Sequence, residues 1–270
     1  MSKVMDITLR DCVPQIFKRP YLSVLPDSTL MQIAPFLAIG PQIYVDGLVV
    51  VEGERPIGRI GSKQILLTII NSKYPDWLEV SAAQMMDNSR IYLEMDLPLS
   101  KAINIFKQTG FAFIPITKSG LVVASLTIRD VLPIITRTTP SLSLKDISSP
   151  LVLLSNKTDL KTALRIMFER KIRNMIVRVD NDYYVANDRK ILEFLFSQNG
   201  RKLVRTNNMG AEAVEIDLID MVPAIKVKEN TTVSQAAELL MDINTPCLLL
   251  EGSIITPWDI VMKTIDKIHI

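Results

Sequence analysis

The sequence contains little histidine and cysteine, two residue types that enzymes often use for acid–base and nucleophilic chemistry. It has one histidine, His269, and two cysteines, Cys12 and Cys247, which lie 235 positions apart. A Ser–His or Cys–His dyad, a histidine-based metal site and a disulfide framework are therefore not expected. The sequence also lacks the GxGxxG fingerprint and the GxxxxGKS/T phosphate loop. These absences predict a protein that has no catalytic residues and no bound metal.

Long apolar runs and an excess of one charge are also missing. Apolar stretches such as Leu121–Leu126 have the length of a strand and fall short of the roughly 18 residues of a membrane span. The N-terminal MSKVMDITLRDC carries charges where a signal peptide needs an apolar core. With 31 basic and 29 acidic residues, the net charge of +2 argues against a nucleic-acid or membrane footprint over the whole surface. We expect a cytoplasmic protein with reduced thiols and no membrane contact.

The sequence is rich in internal repetition. One unit occurs four times: a short strand, a polar turn, an amphipathic helix, two apolar strands and a second helix. The first helices align at four apolar positions, each preceded by a residue suited to a helix start. These apolar positions are Leu30, Leu99, Leu160 and Val233. The 270 residues, 48% of them hydrophobic, can form about two domains.

The repeats also recur as pairs, which defines two predicted halves. Residues 1–138 are expected to form the first pair, with repeats at about 10–72 and 82–138. Residues 139–270 are expected to form the second pair, with repeats at about 144–197 and 216–267. A polar, Pro-containing linker at 138–143 separates the halves. The stretch 198–215 contains Gly200 and Gly210 and is predicted to be a surface loop.

Four βαββα units of this kind resemble the cystathionine-β-synthase (CBS) domain family over nearly the whole chain. The strand FIPIT (113–117) and the strand-to-helix junction SLTIRDVL (125–132) carry the resemblance. Within that junction, Thr127-x-x-Asp130 matches the nucleotide motif of the family, and Thr256-x-x-Asp259 matches it again. The first and third repeats depart from it and read Gly61-x-x-Gln64 and Asn187-x-x-Lys190. The resemblance implies an α+β fold of four tandem βαββα CBS repeats, paired sheet against sheet into two Bateman modules.

The resemblance implies that Asp130 and Asp259 accept hydrogen bonds from ribose hydroxyls. Thr127, Thr256 and the helix N-terminus would then face the ribose-phosphate. Helix N-termini favour anions because their first N–H groups are unpaired, and a carboxylate can accept two hydroxyl donors. The same spacing is also a capping box, which stabilises a helix by about 1 kcal/mol whatever the function.

Further contacts are implied by the same resemblance. The adenine slot is expected at Ile91, Tyr92, Pro115 and Leu126 in the second repeat, and at Ile225, Cys247 and Ile255 in the fourth. Phosphate contacts are expected at Arg129, Arg173 and Lys190. The slot residues are also ordinary core types, and a buried cysteine behaves as a small hydrophobic residue. Trp258 is expected beside the fourth-repeat site, or packed against a partner repeat or another subunit.

Residues 161–205 contain eleven basic and five acidic side chains. This excess is typical of a solvated face, and it also permits contacts with ligand phosphates or with nucleic acid. The resemblance as a whole implies a non-catalytic regulatory sensor that binds AMP, ADP, ATP or S-adenosylmethionine and acts by a population shift. A homodimer, or a pseudo-dimer of the two halves, and a regulated protein partner are expected. The alternatives are a structural or partner-docking module and a nucleic-acid contact through residues 161–205.

Overall fold

The computed structural model describes residues 4–39, 46–72, 75–138, 141–207 and 214–268. The prediction about His269 lies outside these residues, as does the part of the predicted linker at 139–140. The first half contains α1 Leu9–Cys12, β1 Ser23–Val24, α2 Leu30–Ile39, β2 Gly47–Glu52, β3 Arg55–Gly61, α3 Ser62–Asn71, α4 Ala82–Met85, β4 Leu93–Glu94, α5 Leu99–Thr109, β5 Phe113–Lys118, β6 Leu121–Thr127 and α6 Leu132–Ile135.

The second half repeats this order with additional short elements. It contains α7 Leu144–Ile147, β7 Ser149–Pro150, β8 Leu153–Ser155, α8 Leu160–Glu169, β9 Asn174–Val179, β10 Asp182–Asn187, α9 Asp188–Phe196, α10 Gln198–Asn207, β11 Val222–Pro223, β12 Ile225–Lys226, α11 Val233–Met241, β13 Leu248–Leu250, β14 Ser253–Ile255 and α12 Pro257–Thr264. Short 3-10 helices lie at Val4–Asp6, Pro14–Lys18, Asp76–Glu79, Ile128–Val131, Ile216–Leu218 and Ile265–Lys267.

Each repeat forms its own small sheet around an antiparallel hairpin. The sheet orders are β1-β2-β3, β4-β5-β6, β8-β9-β10-β11 and β12-β13-β14-β7. In the second half the repeats exchange edge strands, because β7 pairs with β14 and β11 pairs with β10. In the first half, the backbone of Arg59 forms a bridge to Asp87. The segment that enters one repeat therefore contacts the sheet of its neighbour.

The second repeat shows how local sequence produces these elements. Leu99, Ala102, Ile103 and Phe106 recur at helical spacing and are fully buried on one face of α5. The helix ends at Gly110, whose φ of 65° suits a left-handed C-cap. In the hairpin that follows, β5 and β6 pair antiparallel from Phe113–Thr127 to Lys118–Leu121. The carboxylate of Glu94 accepts the N–H groups of the turn residues Ser119 and Gly120 at 3.0 and 2.9 Å.

The hydrophobic clusters show how the repeats pack together. The sheets of the first and second repeats meet at Val49, Val51, Phe113 and Val122. The sheets of the third and fourth repeats meet at Ile176, Val185, Cys247, Leu249 and Ile254. Two larger clusters join the helices across the halves, first repeat to third and second repeat to fourth. Four paired βαββα repeats are thus present, and the predicted fold class is confirmed.

Two local predictions were wrong. The stretch from residue 198 begins with helix α10 rather than a loop, because Leu203 and Val204 pack into the cluster of the first and third repeats. Gly200 is tolerated inside this helix. The single second helix that the repeat unit predicts after β6 is divided into the 3-10 turn Ile128–Val131 and the short α6. Pro133 lies at this division, and it has no N–H to bond the carbonyl four residues earlier.

Candidate functional site

The first Thr-x-x-Asp motif forms a buried cap at the end of β6. The backbone N–H and the hydroxyl of Thr127 donate to Asp130 Oδ2 at 2.7 and 2.9 Å. Both residues are buried, and Thr127 is the N-cap of the turn Ile128–Val131. The motif therefore fixes the strand-to-helix junction of the second repeat and holds its carboxylate at the start of the turn.

Arg19 donates to both oxygens of the Asp130 carboxylate. Its Nη1 donates to Oδ1 at 2.6 Å and its Nη2 donates to Oδ2 at 2.7 Å. Nη2 also donates to the Ser125 carbonyl at 2.9 Å. Burial raises the pKa of Asp130 above its ordinary value, while the hydrogen bonds from Arg19 and Thr127 oppose that rise. The sequence reasoning missed Arg19, which lies 111 positions from Asp130 along the chain.

The fit of Arg19 in this site is imperfect. Its Nε and the Ser125 hydroxyl are buried and have no hydrogen-bond partner within the described residues. A buried polar group without a partner costs about 1–3 kcal/mol. These two groups therefore offset part of the stabilisation that the Arg19–Asp130 ion pair provides.

The second Thr-x-x-Asp motif has the same cap with a different neighbour. The backbone N–H and the hydroxyl of Thr256 donate to Asp259 Oδ2 at 2.9 and 2.6 Å. The other oxygen, Oδ1, accepts the Ser149 hydroxyl at 2.5 Å and lies 3.6 Å from Lys263 Nζ. Asp259 is buried at the N-terminus of α12, beside the entry segment of the third repeat.

Arg19 and Ser149 occupy equivalent places in the fold. Each lies four residues before the first strand of its repeat, Arg19 before β1 and Ser149 before β8. Each donates to the motif aspartate of the repeat that shares its half of the molecule. The two motifs therefore differ at one position: a guanidinium closes the first motif, whereas a hydroxyl contacts the second.

Three of the residues predicted for the adenine slot of the second repeat come together. Ile91, Tyr92 and Pro115 line one shallow open pocket, together with Arg59 and Asp87 of the sheet contact between the first two repeats. The residues that line this pocket do not include Thr127 or Asp130, and Leu126 is fully buried in the core. The structure thus places Ile91 and Tyr92 beside the sheet of the first repeat.

Arg59 closes the inner side of this pocket. It is 5% exposed, its Nη2 lies 3.0 Å from Asp87 Oδ2, and its guanidinium stacks over the Phe111 ring. Burial lowers the pKa of Arg59 to about 10 despite the opposing effect of Asp87. A buried arginine therefore lies between the first two repeats.

The residues predicted for the adenine slot of the fourth repeat lie on neighbouring strands, because Ile225 and Ile255 both pair with Leu248, but they differ in exposure. Ile225 lies on the edge strand β12 and is 40% exposed, whereas Ile255 is fully buried. Cys247 packs between the sheets of the third and fourth repeats. Burial and the Asp259 carboxylate raise the pKa of its thiol to about 12. Cys247 is thus a buried apolar residue close to the motif aspartate.

Arg129, predicted to contact phosphate, holds the second and fourth repeats together in this structure. It donates to the carbonyl of Leu240 and, at 2.8 Å, to that of Asp242, and its guanidinium lies 3.4 Å from the Thr245 carbonyl. These carbonyls belong to the last turn of α11 and the loop after it, where helical carbonyls lack intrahelical partners. Trp258 packs across the halves against the second repeat rather than against the paired third repeat, with its ring 6.4 Å from the ring of Phe106.

Arg173 belongs to an ion-pair cluster that joins the first and third repeats. Its Nε donates to Asp188 Oδ2 at 2.7 Å, and its Nη2 lies 3.6 Å from Asp46 Oδ1. Asp46 is also paired with Arg189, and the positive charge of Arg129 is near enough to lower the pKa of Asp46. Burial opposes the charge of Asp46, but the arginines lower its pKa to about 2. No local sequence signal identifies Asp46, because its partners lie more than a hundred residues away.

The two motifs that depart from the family pattern form caps without a threonine–aspartate pair. The Gly61 N–H donates to Gln64 Oε1 at 3.0 Å, and the Lys190 N–H donates to Asn187 Oδ1 at 2.9 Å. The side chain of Lys190, predicted to contact phosphate, pairs with Glu193 at 2.8 Å and lies 3.8 Å from Asp220. Lys190 is thus directed to acidic side chains of the protein.

Two further features bear on the kind of site that is possible. Across the described ranges, no three His, Cys, Asp or Glu side chains are grouped as metal ligands would be. None of the helices within the described part of the chain has the length and apolarity needed to cross a membrane.

The chain belongs by its architecture to the class of tandem βαββα repeat proteins. It has paired sheets, helices packed across the halves and capped strand-to-helix junctions. A family model described as "CBS domain" matches residues 82–137, which cover the second repeat and its Thr127-x-x-Asp130 motif. The second repeat is therefore a CBS domain, as its motifs predict, and it is one of four repeats with the same βαββα architecture.

Comparison with solved structures supports the same fold for the whole chain. A protein from Methanocaldococcus jannaschii, described as a proposed archaeal homologue of γ-AMPK, superposes with a TM-score of 0.78 at 18% identity, over 91% of this chain and 96% of that chain. An uncharacterized conserved protein from Pyrococcus horikoshii gives a TM-score of 0.55 at 14% identity, over 92% and 96%. At these identities the likeness concerns the fold. A search of curated proteins found no match.

Proposed function

We propose that the chain is a non-catalytic regulatory sensor that binds an adenosine-containing nucleotide between paired repeats. The ligand classes are AMP, ADP, ATP and S-adenosylmethionine. The observation that carries the proposal is the placement of Asp259: a buried carboxylate at a helix N-terminus, next to the contact between two sheets. Its Oδ1 accepts a serine hydroxyl, and a ribose hydroxyl is a donor of the same kind that can replace it.

The surroundings of this carboxylate fit the rest of such a ligand. The N-terminus of α12 carries partial positive charge, and Lys263 adds a full charge 3.6 Å from Asp259 Oδ1. The fold of the neighbour from Methanocaldococcus jannaschii, whose description refers to γ-AMPK, supports an adenine nucleotide as the ligand. A ligand held by both the fourth repeat and the entry segment of the third would favour one orientation of the two repeats, and a partner protein or a second copy would respond to it.

Isothermal titration of the full chain with AMP, ATP and S-adenosylmethionine tests the proposal. At least one should bind, and Asp259→Asn should weaken its binding by about tenfold or more, because the amide removes the charged acceptor. Absence of binding below about 1 mM for all three would remove the proposal.

Asp146 provides a matched control for the helix cap. Ser143 and Asp146 form the same capping box, with the Ser143 N–H and hydroxyl 3.0 and 2.7 Å from Asp146 Oδ2, but both residues are exposed. Asp146→Asn should therefore retain nucleotide binding. Equal loss in the Asp146→Asn and Asp259→Asn variants would favour the alternative that the motif is only a cap in a structural or partner-docking module.

The nucleic-acid alternative receives less support from the structure. Arg173, Arg189 and Lys190, all within the basic segment 161–205, form ion pairs with acidic side chains of the chain itself. A gel shift that persists at about 150 mM salt would favour nucleic-acid binding.

A further inference from the structure

The two Thr-x-x-Asp motifs are not equivalent as ligand sites, because Arg19 already satisfies Asp130. A carboxylate offers about four lone-pair positions. At Asp130 they accept the Thr127 N–H, the Thr127 hydroxyl and both terminal nitrogens of Arg19. Oδ2 accepts three of these donors and Oδ1 accepts Arg19 Nη1, so a ribose hydroxyl must share Oδ1 with the guanidinium or displace it.

Backbone carbonyls add to this contact. Arg19 Nη2 also donates to the Ser125 carbonyl at 2.9 Å, and the Gln15 amide donates to the Asp130 carbonyl at 2.9 Å, so two residues of the entry segment before β1 bond this motif. Displacing Arg19, whose side chain is 16% exposed, would leave the buried Asp130 carboxylate without its charged partner, which is a costly way to break an ion pair.

No arginine contacts Asp259 in this way within the described residues. The residue equivalent to Arg19 is Ser149, whose neutral hydroxyl a ligand hydroxyl can replace without leaving an unpaired charge. Lys263 lies 3.6 Å from the carboxylate, but its Nζ donates to the carbonyls of Ile147 and Ser148 at 2.7 and 3.1 Å, away from the acceptor.

We infer that Arg19 is a built-in occupant of the Thr127–Asp130 site, so that nucleotide binding is confined to the Thr256–Asp259 site. The inference rests on the proposed function, since it assigns that function to one half of the chain. In this inference, the side chain at residue 19, and at the equivalent residue 149, decides whether the neighbouring motif binds a nucleotide.

An exchange of the two residues tests the inference in the full chain. The probes are AMP, ATP and S-adenosylmethionine, and the readouts are the stoichiometry and affinity from isothermal titration. The wild type should bind one equivalent, which Asp259→Asn removes. Arg19→Ser should bind a second equivalent, which the further change Asp130→Asn removes. Ser149→Arg, in the otherwise wild-type chain, should lower the affinity for the single equivalent by about tenfold or more.

The double variant Arg19→Ser/Asp130→Asn avoids an unpaired buried charge, and circular dichroism and Tm confirm that each variant is folded. If a variant at position 19 does not fold, Ser149→Arg provides the decision, because the inference requires it to lose binding. Two results would overturn the inference and leave the proposed function intact. In the first, the wild type binds two equivalents. In the second, it binds one equivalent, which is lost in Asp130→Asn and retained in Asp259→Asn. A folded Arg19→Ser that still binds one equivalent would do the same. Absence of binding by both the wild type and Arg19→Ser would refute the proposed function and the inference together.

Discussion

Arg129 and Trp258 occupy the same position in the second and fourth repeats, and each contacts the end of the first helix of the other repeat. Arg129 donates to the carbonyl of Leu240 in α11, whereas Trp258 packs its ring against Phe106 in α5. Phe106 and Leu240 are themselves equivalent, seven residues after the aligned positions Leu99 and Val233. The halves of the chain are thus joined by a pseudo-two-fold contact that is polar on one side and aromatic on the other.

Removal of Arg129 should therefore weaken the contact between the halves. Arg129→Met retains the aliphatic volume but loses the bonds to the carbonyls at the end of α11, so we expect a loss of about 2 kcal/mol in the free energy of unfolding. Urea unfolding followed by circular dichroism measures this change. Lys63, the exposed residue at the same motif position in the first repeat, is the control, and Lys63→Met should change stability by less than about 0.5 kcal/mol. Equal effects of the two substitutions would contradict the assigned role of Arg129.

The ion-pair cluster around Asp46 predicts a pH-dependent stability. Burial opposes ionisation, but Arg189 and Arg173 lower the pKa of Asp46 from 3.8 to about 2. A carboxylate with a lowered native pKa contributes stability above its unfolded pKa, and this contribution is lost as the pH falls from about 4 to about 2. Asp46→Asn should therefore cost about 2 kcal/mol near neutral pH and much less near pH 2.

The measurement is the difference in Tm between wild type and Asp46→Asn as a function of pH. The exposed Asp27 provides the control, and Asp27→Asn should change Tm little at either pH. A wild-type advantage over Asp46→Asn that stays constant between about pH 7 and about pH 2 would show that Asp46 does not stabilise the protein through its charge.

Phe106 predicts a large packing effect at the contact between the second and fourth repeats. It is fully buried and lies edge to face with Trp258, with ring centroids 6.4 Å apart. Phe106→Ala should cost about 3–5 kcal/mol because it leaves a cavity, and it should alter the fluorescence of Trp258. Phe36, which is 41% exposed on α2, is the matched control, and Phe36→Ala should have little effect on stability or fluorescence. Unchanged emission in a folded Phe106→Ala variant would contradict the contact.

The two halves should associate when they are produced as separate chains, 1–138 and 139–270. Each half alone would expose the helix faces that pack across the molecule, since α3 contacts α9 and α6 contacts α11. These faces are largely apolar and belong to the two main hydrophobic clusters. Light scattering after size exclusion should show self-association of each half, and a one-to-one complex when the halves are mixed. Stable monomers of both halves would be inconsistent with the packing described.

Self-association of the whole chain remains a prediction. The pseudo-dimer arrangement of the halves is present within one chain, because each main cluster contains residues of both halves. Light scattering of the full chain would establish whether a further homodimer forms, as the family resemblance implies.

The amino-acid sequence by itself determined the repeat, its hairpins and the positions of its motifs. The aligned residues Leu30, Leu99, Leu160 and Val233 are all buried, because helical periodicity requires one apolar face wherever a helix packs. The capping boxes at Thr127 and Thr256 also follow from local spacing, since donor and acceptor lie within one turn. The helix that begins at residue 198 escaped prediction because its glycine indicated a loop, whereas packing by Val204 stabilised the helix.

The tertiary structure alone decided which motif is closed and which side chains hold the halves together. Arg19 meets Asp130, Ser149 meets Asp259 and Asp46 meets Arg189 at separations of 111, 110 and 143 positions along the chain. No local periodicity relates such residues, because their proximity results from the pairing of sheets within each half and of helices across the halves. For the same reason Ile91 and Tyr92 lie against the first repeat although they belong in sequence to the second. Local hydrogen bonding specified the caps, and long-range packing specified their neighbours.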